Sequence, residues 1–180
     1  MKEYDGKVRV VFKHMVVHPD VVQTAHLAAC AAGKQGKFIE FHKQYWEKGF
    51  MPYAQSQGKN TDALSEANME AIAKDVGVNV DKMKADMGAA CQQRIQKDMA
   101  EMDKFHVNAT PAFFINGQEI IGGMQKEQFK QIIDEKLKIA EASGVPAKDY
   151  YDKEIFGKGE KVFRAKKDPK PGSGSAAKTK

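Results

Sequence analysis

Thr110-Pro111-Ala112-Phe113-Phe114-Ile115-Asn116-Gly117 is the stretch on which the reading of this chain turns. Phe113, Phe114 and Ile115 are residue types that suit a pleated, half-buried surface. Asn116-Gly117 marks a two-residue hairpin turn, because both turn positions must tolerate positive φ. The return strand is then Glu119-Ile120-Ile121, closed by Gly122-Gly123. Pro111 has no amide to donate, so it belongs at the start of the first strand, where no ladder bond is required.

Upstream of this stretch, Val8-Arg9-Val10-Val11-Phe12 is β-rich and predicts a strand. His18-Pro19-Asp20 opens a helix, with Pro suited to its first turn and Val22, Ala25, Ala29 and Ala32 at helical spacing. A second helix is expected over 37–48 with Phe38, Phe41, Tyr45 and Trp46 inward, followed by a polar loop over 49–62. Ser65 is the expected N-cap of a third helix, Gly77 its C-cap with Val78 as the contact beyond, and Asn79 the cap of a short fourth. A fifth helix is expected over 89–105, and a sixth over 126–142 with Phe129, Ile132, Ile133 and Leu137 toward the core. Pro146 begins a short helix carrying Tyr150, Tyr151, Ile155 and Phe156. Strands separated by helical segments indicate an α/β chain.

Composition narrows the function classes. The net charge is +5, but Lys158–Lys180 holds eight Lys or Arg against two Asp or Glu, a net +6 that leaves residues 1–157 at −1. The basic character thus belongs to a tail expected to be disordered, and a nucleic-acid-binding face is not expected. No apolar run approaches the ~20 residues of a membrane span, and no apolar signal region opens the chain.

The order of these motifs resembles the DsbA-like branch of the thioredoxin superfamily. The matching residues are Val8–His14, His18-Pro19 with the Ala-rich run through Cys30, Gln35-Gly36-Lys37-Phe38 with Phe41-His42, and Val107 followed by Thr110–Gly117 and Ile121-Gly122-Gly123. The resemblance implies an α/β, thioredoxin-like fold with an inserted helical subdomain at about 19–105, within a domain of residues 1–142. A short helix over 143–157 and a basic tail over 158–180 follow. It implies a cis Thr110-Pro111 bond, where an ordinary hairpin would have a trans one, and a role for Thr110 and Pro111 in holding extended polypeptide substrates of secreted proteins.

The departure is equally plain. The family's first strand and its Cys-x-x-Cys helix have no counterpart, and Lys2–Gly6 reads as the end of that helix. A fragment, an internal Met taken as a start, or a strand supplied by a partner each explains this, and an open sheet edge would then favour self-association. The full-length family protein is expected to be a periplasmic or extracytoplasmic thiol:disulfide oxidoreductase. The alternatives are a redox-inactive peptide-binding or chaperone-like module, or a glutathione-dependent relative with a likewise missing N-terminal Ser or Cys.

Thiol–disulfide exchange needs a thiolate. Cys30 and Cys91 lie 61 residues apart on helical stripes and cannot form the family's dithiol. They are either two buried thiols or a structural disulfide, as some members of the resembling family carry. His14 and His18 are four apart, without the Glu or Cys that would make a metal motif, so no metal site is expected. No phosphate-cradling loop appears, and no cofactor is expected.

Overall fold

The computed structural model describes residues 2–164. The chain divides into two compact units, one of residues 9–101, the other joining the segment up to Val8 with the chain from Met102 onward.

The first unit is helical: α1 (Pro19–Lys34), α2 (Phe38–Tyr45), a π-helical turn (Trp46–Phe50), α3 (Met51–Gln55), a 3-10 turn (Thr61–Leu64), α4 (Glu66–Asp75), α5 (Val80–Met87) and most of α6 (Ala89–Lys104). The alanines of α1 let neighbouring backbones approach closely. Ala28, Ala31 and Ala32 are fully buried against a core that includes Phe41, Met69, Ile72 and Met83. Ser65 Oγ accepts the Asn68 amide at 3.3 Å and Asn79 Oδ1 the Lys82 amide at 2.8 Å, satisfying N-terminal amides that have no helical partner. Gly77 takes φ +77 and ends α4, with Val78 N–H donating to Ala73 O at 2.8 Å and Gly77 N–H to Lys74 O at 3.0 Å. Those two bonds make a Schellman cap, and Val78 is buried behind it.

Two expectations are corrected here. The polar stretch expected as a loop over 49–62 stays helical through Gln55. Pro52 interrupts an α-ladder by lacking an N–H, and the π-helical turn before it accommodates that interruption. The carbonyl of Lys48, four residues earlier, instead accepts Asn68 Nδ2 at 3.1 Å. The strand expected at Val8–Phe12 is not formed. The segment runs to Val16 without turn or bend, but no strand pairs with it among the described residues. A strand exists only with a partner to receive its amides.

The second unit holds the sheet, an antiparallel hairpin of β1 (Ala112–Ile115) and β2 (Gln118–Ile121), then α7 (Lys126–Ala142), α8 (Ala147–Tyr150) and a π-helical turn (Tyr151–Phe156). Phe113 packs edge-on to Phe129 of α7 with ring centroids 4.8 Å apart. The apolar face of α7 is only half-buried, because a two-stranded sheet is too small to cover it. Tyr4 Oη donates to Asp134 Oδ1 at 2.8 Å, and Lys7 Nζ reaches Glu141 Oε1 at 3.0 Å, tying the N-terminal turn to α7. Of the tail expected over 158–180, residues 165–180 lie outside the described residues.

Candidate peptide-docking site

Thr110 and Pro111 lie on the surface directly before β1, joined by a cis peptide bond. Asn116 and Gly117 take φ +45 and +86, a turn of the mirror-image type that matches strand twist. This turn sets the register Ile115↔Gln118, Phe114↔Glu119, Phe113↔Ile120 and Ala112↔Ile121. Pairs alternate between bonded and non-bonded, so Ile115 and Phe113 bond to β2, as does Pro111 O, which accepts the Gly122 amide at 2.8 Å. The backbone groups of Ala112 and Phe114 therefore face the other edge of β1, where no strand pairs among the described residues. Phe114 is 48% exposed on that strand. Its ring meets that of Phe105 edge-on, 5.8 Å between centroids. Surface loop, proline and open edge thus lie side by side at the start of the hairpin.

Cys30 and Cys91 are bonded to each other, joining α1 to α6 with Cα atoms 5.9 Å apart, and no free cysteine remains. They belong to the helical unit and its core, where Cys91 is fully buried. The 180 residues thus hold no thiolate for exchange.

A second cluster sits in the helical unit. His14 Nδ1 and His26 Nδ1 are 3.2 Å apart, so one donates and the other accepts. Burial, reinforced by the neighbouring His14 and His42, pushes His26 down to about 4. His14 is lowered chiefly by burial, against the pull of the Asp98 carboxylate, and His42 by burial alone. Asp98 is 1% exposed. It accepts the His14 amide at 3.1 Å and Arg94 Nε at 3.1 Å, with Lys13 Nζ 3.3 Å away, which anchors the segment before α1 to α6. Phe12, Phe38, His42, Trp46 and Phe50 form a continuous line of ring contacts, with Trp46 Nε1 donating to His42 Nε2 at 3.1 Å. No three metal-ligating side chains converge among the described residues.

The family model described as "Thioredoxin" matches residues 1–135. The chain belongs to the thioredoxin family. A sodium/proton antiporter NhaA of Herminiimonas arsenicoxydans is 24% identical over 145 residues, which cover 80% of this chain and 21% of that protein. The chain thus spans about a fifth of the length of that curated relative. No solved structure matches significantly.

Within this thioredoxin-family chain the structure brings Thr110 and Pro111 to the mouth of an open edge. It places Cys30 and Cys91 in the other unit as a structural bridge. His14 faces His26 rather than joining His18, which caps α1. The line of rings and the Asp98 anchor were missed by reading the sequence. The spacing of Phe38, His42, Trp46 and Phe50, four apart across α2 and the π-helical turn, carried the signal for the first, and Trp46, expected inward, is 43% exposed. Nothing local marks Asp98, whose partners lie on both sides of α1 in sequence.

Proposed function

We propose that this chain is the substrate-holding part of a DsbA-like thiol:disulfide oxidoreductase, its reactive dithiol lying outside these 180 residues. The supporting observation is the open edge of β1 beside the exposed Thr110 and Pro111. An extended client polypeptide adds to this edge as a strand, hydrogen-bonding to Ala112 and Phe114, with Thr110 offering its backbone at the entrance. An extracytoplasmic, periplasmic-type location accompanies this reading, since disulfides such as Cys30–Cys91 persist where the surroundings oxidise. No helix among the described residues is long and apolar enough to cross a membrane.

The engagement of both cysteines in the disulfide favours a second reading, a redox-inactive module that binds extended peptides without exchanging thiols. The DNA ahead of Met1 separates the two. An in-frame Cys-x-x-Cys supports the first, and a stop codon directly upstream leaves the second. Both readings require a docking ledge at β1, which is tested by a photoreactive phenylalanine in place of Phe114. It should label a permanently unfolded, S-alkylated polypeptide well above the level reached by the same probe at the exposed Glu135 of α7. Equal labelling at the two positions would discard the ledge.

A further inference from the structure

We infer that residues 157–164 form a strap whose Phe163 latches the connection between α6 and β1, and so positions Thr110 and Pro111. The latch stands on contacts within one compact unit, and only its bearing on client binding rests on the reading proposed above. α6 ends in a left-handed turn. His106 N–H donates to Asp103 O and Val107 N–H to Met102 O, both at 3.1 Å, with His106 at φ +55. Glycine ordinarily completes this pattern, and another residue holds the left-handed conformation only where its surroundings enforce it. The Lys104 carbonyl is also left without a helical partner. Phe163 meets both needs. Its N–H donates to Lys104 O at 2.6 Å, and its ring stacks on that of His106, with centroids 4.7 Å apart and planes at 29°. Only Asn108, Ala109 and Thr110 lie between this cap and Pro111.

The strap leaves the π-helical turn Tyr151–Phe156 through two closely held glycines. Gly157 N–H donates to Asp152 O at 2.8 Å and Gly159 N–H to Ile155 O at 2.9 Å. A Cβ on Gly157 would meet Lys153 O at 2.8 Å, nearer than side chains tolerate, and one on Gly159 would press on Ile155 O. Lys161 Nζ then lies 3.8 Å from the centre of the Phe156 ring, a cation–π contact that fixes the return of the chain toward α6. Phe163 itself remains 44% exposed, so removing its ring opens no cavity in a core.

The test uses the 180-residue protein and reads amide exchange at Phe105, His106 and Val107 beside client labelling from a photoreactive residue at position 114. Phe163→Ala, which removes the ring, should speed exchange at those amides roughly three- to tenfold. Phe163→Pro, which also removes the N–H, should speed it further, and Phe163→Tyr, which keeps both, should match the parent. Gly157→Ala should act like Phe163→Ala, because it prevents the strap from returning. Exchange at the fully buried Ile72 should not change in any of them. Labelling of the unfolded client should fall in the order of the exchange rates. Unchanged exchange at Phe105–Val107 in Phe163→Pro overturns the strap, whatever the labelling shows. Faster exchange with undiminished labelling overturns its positioning role. A parent that labels no better from position 114 than from Glu135 removes the docking ledge alone, and the exchange rates then decide the strap.

Discussion

His14 and His26 meet through their Nδ1 atoms, and His42 accepts the Trp46 indole N–H through Nε2. Both arrangements need at least one ring nitrogen without a proton. Burial lowers all three histidines, His26 to about 4, from an ordinary value near 6.5. Asp98 faces His14 as the one carboxylate favouring its charged form, and Arg94 opposes it. The unfolded chain therefore binds more protons than the folded one between about pH 6.5 and pH 4, and stability must fall as pH falls through that window. With allowance for the partial exposure of the rings, the loss from pH 7 to pH 5 should be about 1–2 kcal/mol, read from urea midpoints. His26→Gln should remove most of that dependence. An unchanged slope in this variant would assign the acid sensitivity to other groups.

The hairpin is the element on which the proposed docking depends, and its turn requires a left-handed residue at position 117. Gly117 has φ +86, and a Cβ added there would meet nothing within 4 Å, so a side chain at this position brings backbone strain and no clash. Gly117→Ala should cost about 1 kcal/mol and speed amide exchange across Ala112–Ile121. Gly123 also has open space but no positive φ, and Gly123→Ala should leave both unchanged. Equal effects would mean that the turn does not set the register. The stretch from Phe38 to Gln55 shows the opposite relation of residue to element. There Pro52 leaves helical structure intact because a π-helical turn precedes it and Asn68 occupies the Lys48 carbonyl.

For the molecule as a whole, the Cys30–Cys91 bridge closes a loop with a sequence separation of 61 residues. On the chain-entropy estimate it contributes about 4 kcal/mol by restricting the unfolded state. That is a large part of the ~5–15 kcal/mol by which domains are ordinarily stable. The Cys30→Ala/Cys91→Ala double variant should therefore melt well below the oxidised protein, and strong reductant should lower the melting temperature of the parent but not of the variant. Coincident melting of oxidised and reduced parent would show that α1 and α6 hold together without the bond.

Much of this was legible in the sequence, for reasons that are local. Ser65, Gly77, Asn79 and Asn116-Gly117 act on backbone groups within a few residues, so their chemistry sets caps and turns wherever they stand. The Thr110–Gly117 motif was equally readable, since a proline, a β-rich run and a turn need no distant partner to be recognised. The features that had to wait for the folded chain rest on partners far apart in sequence. Val8–Phe12 has the composition of a strand, yet pairing is a property of two segments, and none meets it among the described residues. The bond between Cys30 and Cys91, the facing of His14 and His26, and the burial of Asp98 depend on how α1 and α6 pack, which no local pattern specifies.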